Sequence, residues 1–176
     1  MPFYRFQLIS PLSESSVMER LQFLTRPKRT FWESIRHAFR RAGTAWPPFI
    51  GTVDRNRFRV YRDIRYRNSF LPVVSGRVEP TSDGARISVV MYLHPLVALF
   101  MLFWLSAVAI GGSAAYAKQG LAAAGFSAAM FAFGVALTCG GFFPEAFKAK
   151  KLLQDGINGD LAPNGQPASS FDAPAA

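Results

Sequence analysis

Charge is nearly missing from one third of this 176-residue chain: the 58 residues from Ile87 to Pro144 hold a single formal charge, Lys118. The rest carries the other 30 charges, about one residue in four, the share usual for a soluble domain. Cysteine is scarce as well. Cys139 stands alone, which excludes an internal disulfide and a secreted disulfide-built scaffold. The only histidines are His37 and His94, so a multi-histidine metal site would need more than one chain. No glycine-rich phosphate loop, C-x-x-C or H-E-x-x-H occurs. Neither metal nor cofactor is expected, and no catalytic residue is assigned. A wholly soluble chain and a disordered one both fit this composition poorly.

What is present is hydrophobic length. A helix needs about 20 residues to cross the hydrocarbon core. Pro95–Ala117 and Leu121–Phe143 both satisfy that, and the short break Lys118-Gln119-Gly120 between them forces an antiparallel hairpin. Basic residues in short flanks set orientation. Arg77 and Arg86 precede the first span, Lys148, Lys150 and Lys151 follow the second, and the connecting turn has only Lys118. Both termini are therefore expected in the cytoplasm. The first 30 residues contain no apolar run suited to a signal peptide, so the first span is expected to act as its own insertion signal. Neither span carries Asp, Glu, Lys or Arg, which argues against an ion or proton pathway.

Small residues recur every fourth position in both spans: Ala107, Gly111 and Ala115 in the first, Ala124, Ala128, Ala132, Ala136 and Gly140 in the second. Such stripes let helices approach closely. They are expected to pack the hairpin, with a homo-oligomer as the other use.

Residues 1–86 carry 16 basic and seven acidic residues, the whole of the chain's +9. Tyr4–Ile9 alternates like a strand. Ser16-Val17-Met18-Glu19 reads as a capping box opening a helix through Leu24, and Thr30-Phe31-Trp32-Glu33 as a second one, with a helix over 31–41. Phe49–Val53, Arg57–Arg65, Pro72–Glu79 and Arg86–Leu93 are expected to form an antiparallel meander with turns at Asp54-Arg55-Asn56 and Thr81-Ser82-Asp83-Gly84. The fold class is an α+β cytoplasmic domain fused to a transmembrane α-helical hairpin. Its expected parts are a basic domain over 1–94, the hairpin over 95–143, a cytoplasmic helical extension over 144–155 and a disordered tail over 156–176.

Alternation puts Phe58, Val60, Ile64 and Tyr66 on one face of the second meander strand, with Arg62 intruding; Arg57, Arg59, Tyr61, Asp63, Arg65 and Arg67 take the other. A cationic face near an anionic leaflet gains about 1 kcal/mol per basic residue close to the surface. Arg57, Arg59, Arg65, Arg67, Asn68 and Ser69 are thus the candidate lipid- or partner-binding residues. The segment Tyr66–Pro72 reads as a structural turn or a specific site. Nucleic acid is disfavoured: aromatics interleave with arginines, yet no zinc-finger, helix-turn-helix or RNP-like signature accompanies them.

The segments Phe49-Ile50-Gly51-Thr52-Val53, Phe58-Arg59-Val60, Tyr66-Arg67-Asn68-Ser69-Phe70 and Pro72-Val73-Val74-Ser75-Gly76, ending in His94-Pro95, resemble a group of small bacterial two-span membrane proteins with a cytoplasmic β-rich domain. That group has no assigned activity, so the resemblance implies a bacterial cytoplasmic membrane and carries over no functional residue. The expected function is non-enzymatic: an integral membrane protein whose basic domain binds a protein partner or anionic headgroups. The alternatives are a membrane-surface enzyme built on Arg67, Asn68, Ser69 and His94, and an accessory subunit of a larger membrane complex.

Overall fold

The computed structural model describes residues 2–27, 47–64, 66–158 and 160–161. Among these residues seven strands and three helices follow one another. They are β1 (Phe3–Ser10), α1 (Glu14–Leu24), β2 (Thr25–Pro27), β3 (Phe49–Asp54), β4 (Arg57–Arg62), β5 (Pro72–Thr81), β6 (Gly84–Leu93), α2 (Pro95–Gln119), α3 (Leu121–Ile157) and β7 (Asp160–Leu161). The helix expected over 31–41 lies outside the described residues.

All strands join one mixed sheet in the order β2-β3-β4-β5-β6-β1-β7. β2 runs parallel to β3, and every other pairing is antiparallel. The expected meander is its centre, closed by turns that place Asp54 opposite Arg57 and Thr81 opposite Gly84. Gly84 takes φ 140°, a conformation open to glycine. Pro72 opens β5, where its missing N–H costs no ladder bond. Sequence patterning does not reveal that β1 closes the meander on its far side, pairing Phe3–Ser10 against Tyr92–Ala85.

One face of the sheet is buried. Phe58 and Val60 of β4, Val74 and Val78 of β5, Ala85, Ile87, Val89 and Met91 of β6, and Leu8 of β1 pack beneath α1 and the second half of α3. α1 contributes Val17, Met18 and Leu21. Its cap differs from the expected one: Ser13 is the N-cap, and its hydroxyl accepts from the Ser16 backbone N–H. The run Ser13-Glu14-Ser15-Ser16 offers several capping hydroxyls, and the earliest wins.

α3 departs most from the sequence reading. The extension expected to continue the second span carries core residues, and the tail expected from Gly156 does not begin there. α3 continues through Pro144 as one 37-residue helix and buries Phe142, Ala146, Ala149, Leu153 and Ile157 in the domain core. Its last turn is tied to β1, where the buried Ser10 hydroxyl donates to the Ile157 carbonyl at 2.8 Å. Asn158 then turns left-handed at φ 49°, and β7 pairs with Leu8 and Ile9. Residues 162–176 lie outside the described residues. The physical reason is the spacing 142, 146, 149, 153, 157: an apolar stripe on one helix face, which the sheet covers.

Candidate functional site at the helix–sheet junction

α2 and α3 are long and apolar enough to cross a bilayer. Their side chains face outward. Leu96, Leu99, Phe100, Phe103, Ile110, Phe126 and Phe133 are all exposed, whereas the core helix of a soluble protein would bury such residues. The two helices form an antiparallel hairpin turning at Gly120. Gly112 lies against Ser127, where a Cβ would stand 2.6 Å from the serine Cβ, and Gly134 lies against Leu105 and Trp104. Thr138 is buried, and its hydroxyl donates to the Gly134 carbonyl at 2.7 Å.

The expected helix-packing stripe is not this seam. Ala107, Gly111, Ala128, Ala132, Ala136 and Gly140 are exposed, and a Cβ on Gly111 or Gly140 would meet nothing within 4 Å. Only Ala115 and Ala124 are half-buried. The seam runs instead through Met101, Leu105, Val108, Gly112 and Ala115, spaced alternately four and three as in a left-handed helix pair. Alanines occupy every side of α3, so their fourfold spacing could not single out the inward face.

Strand direction fixes the geometry of the junction. β6 runs into α2 at His94-Pro95, so Leu93 marks the hairpin end of the sheet. Pro72, Arg62 and Phe3 share that end through the strand register, whereas Asp54, Arg57, Thr81 and Ser10 lie at the far end. The His94 Nδ1 caps α2 by accepting from the Leu96 N–H at 3.4 Å.

Three donors converge on one carboxylate at the hairpin end. Glu145 of α3 is buried and accepts from the Arg62 Nη1, the Tyr66 hydroxyl and, at 3.2 Å, the Lys148 Nζ. Arg62 occupies an inward position of β4, which explains a cation among Phe58 and Val60. Glu145 lies beyond the bilayer-length part of α3, since Phe142 and Ala146 on either side belong to the domain core. Burial pushes its carboxyl up, but the bonds from Tyr66 and Lys148 and the Arg62 charge outweigh that and hold it below its ordinary value. The same bond raises the Tyr66 hydroxyl, which therefore remains a donor. Sequence reasoning missed this cluster. The available signal was two opposite charges out of place: Arg62 on an apolar strand face and Glu145 at the end of an uncharged run.

A second clamp sits one turn earlier on α3. The Asn68 amide donates to the Gly141 carbonyl at 2.9 Å, and its oxygen accepts from the Phe70 N–H at 2.9 Å. Phe70 packs on Gly141. Pro144 interrupts the helix ladder here, removing the N–H that would reach the Gly140 carbonyl. The connection from β4 to β5 thus grips the helix where its own hydrogen bonding is weakest.

The candidate binding residues are not brought together. Asn68 is committed to the clamp, while Arg67 and Ser69 beside it are exposed. Arg59, on the outer sheet face, donates to the Tyr92 hydroxyl at 2.7 and 3.1 Å. Arg57 is exposed at the far end, five residues or about 17 Å beyond Arg62 along the strand. Arg65 lies outside the described residues. His94 serves as a cap on α2. Among the described residues no cluster of three His, Cys, Asp or Glu side chains could hold a metal ion. No protein-family model, curated protein or solved structure matches the chain.

Proposed function

We propose that this chain is a non-enzymatic two-span protein of the bacterial cytoplasmic membrane, with both termini in the cytoplasm. Its basic α+β domain stands on the inner face and engages anionic headgroups. The observation that carries the reading is the continuity of α3: one helix is long and apolar enough to span a bilayer and also completes the core of a charged domain. The outward apolar faces of α2 and α3 support insertion, as does the confinement of the +9 charge to residues 1–86. Exposed Phe3, Tyr66 and Phe147 ring the junction at the depth where aromatic side chains favour the membrane–water boundary.

On this reading the headgroup contact lies away from the β4 face. Arg57 would stand about two Debye lengths above the hairpin end, where attraction to the leaflet is largely screened. Arg67, Lys148 and Lys151, all exposed at or near the junction, are cations within reach, together with the half-buried Lys150. The upright outer face with Arg57 and Arg59 suits a protein partner better, which is the second reading.

Hydrogen exchange on the full chain in nanodiscs tests the first. The 66–71 connection is expected to exchange more slowly over anionic lipid than over neutral lipid, and the triple variant Arg67→Gln, Lys148→Gln, Lys151→Gln to lose the difference. Equal exchange on both lipids would reject headgroup engagement.

A further inference from the structure

A groove of about 420 Å³ opens between α2 and α3 just below the sheet. Met101, Leu105, Val135, Thr138, Cys139 and Phe143 line it, and the Pro2-Phe3 start of β1 roofs it. The Thr138 hydroxyl is already bound to the Gly134 carbonyl, so this side chain offers the groove no free donor. The lining asks for an apolar occupant.

Above the groove the same face of α3 continues as Phe143, Phe147 and Lys150, residues four and three apart. Phe143 stacks on Phe147, Phe147 meets the edge of Tyr4, and the Lys150 Nζ donates to the Tyr4 hydroxyl at 3.1 Å. That ammonium lies 5.6 Å from the Tyr4 ring centre and 5.5 Å from that of Phe6. Lys148, two residues earlier, shares Glu145 with Arg62, but Lys150 has no carboxylate partner among the described residues. It is half-buried, and a cation drawn partly out of water without a counter-ion favours an anion beside it. From Phe143 to Lys150 the helix rises about 10 Å. An apolar slot therefore ends below a cation, at a spacing suited to an acyl chain and its phosphate.

We infer that this groove is a binding site for one anionic phospholipid, with an acyl chain between α2 and α3 under Phe3 and the phosphate on Lys150 and the Tyr4 hydroxyl. The inference rests on the two-span reading and gives its headgroup contact a defined place. Groove and cation answer to the same ligand: a neutral lipid would leave Lys150 unmatched, and a soluble anion would leave the groove unfilled.

The full chain, purified in mild detergent, is titrated with phosphatidylglycerol and with phosphatidylcholine and read by native mass spectrometry. One phosphatidylglycerol per chain is expected to bind about fivefold more tightly than phosphatidylcholine, the factor that about one basic residue near the headgroup supplies. Lys150→Gln should erase that preference, and Cys139→Phe should remove the saturable site for both lipids. Because a groove variant can disturb the hairpin, labelling of the single cysteine in the unaltered chain gives an independent reading. Phosphatidylglycerol should slow the reaction of Cys139 with N-ethylmaleimide. Equal affinity for the two lipids, a preference surviving Lys150→Gln, or unaltered labelling would overturn the lipid site alone. A chain that stays in solution without detergent would overturn the two-span reading with it.

Discussion

Arg62 and Glu145 lie 83 residues apart in sequence and form an ion pair that fastens strand β4 to helix α3 at the base of the hairpin. The Glu145 side chain is only 4% exposed and that of Arg62 18%, so neither charge can fall back fully on water if the other is removed. Glu145→Ala is expected to destabilise the full chain in detergent by about 3 kcal/mol, mostly through the stranded guanidinium. The double replacement Arg62→Met, Glu145→Leu should recover most of that loss. Thermal melts of the three variants check both statements; a double variant as unstable as Glu145→Ala would count against a simple pair.

The pair also sets an acid limit. The Glu145 carboxyl sits below its ordinary value of 4.5 in the folded chain, so its stabilising contribution is complete above that value. It is lost as pH falls through the lowered folded value. Melting temperature should therefore drop on acidification below about pH 4.5, and less steeply in Glu145→Gln than in the unaltered chain. Matching slopes would show that other carboxylates govern acid unfolding.

Cutting after residue 94 leaves β1–β6 and α1 but removes Phe142, Leu153 and Ile157, each fully or almost fully buried. Burying a large apolar side chain contributes roughly 1.5–3 kcal/mol, so these three approach the 5–15 kcal/mol of a whole domain. Residues 1–94 alone are expected to give the narrow amide dispersion of an unfolded chain in NMR. A dispersed spectrum would show that α3 only leans on a finished domain.

The hairpin seam predicts unequal effects from equal substitutions. Gly112→Val pushes a branched side chain against Ser127 and should destabilise the hairpin by about 1–3 kcal/mol. Ala132→Val, on the exposed face of α3, should change stability by less than about 0.5 kcal/mol. Reversed effects, measured by thermal unfolding in the same detergent, would restore the fourfold alanine stripe as the seam.

These contrasts show what the sequence could reveal. The hairpin was legible because a 58-residue stretch with one charge is a compositional fact that packing cannot disguise. The central meander was legible because Asp54–Arg57 and Thr81–Gly84 are local turns with their own chemistry. What stayed hidden depends on distant partners. Nothing in Phe3–Ser10 names Tyr92–Ala85 as its neighbour, and nothing in Glu145 names Arg62. The stripe from Phe142 to Ile157 was present in the sequence and the helix was expected to run on past Pro144, but nothing local names the sheet that covers it. The Arg62 pair neutralises Glu145, and the Asn68 clamp braces the helix one turn before the proline.

The central claim is that α3 enters a membrane from one side and finishes as part of a folded domain on the other. Reporter fusions test it most directly, one inserted at Lys118 in the exposed turn and one after the C terminus. The account predicts an external signal at Lys118 and a cytoplasmic signal at the C terminus. A cytoplasmic signal at Lys118 would contradict it.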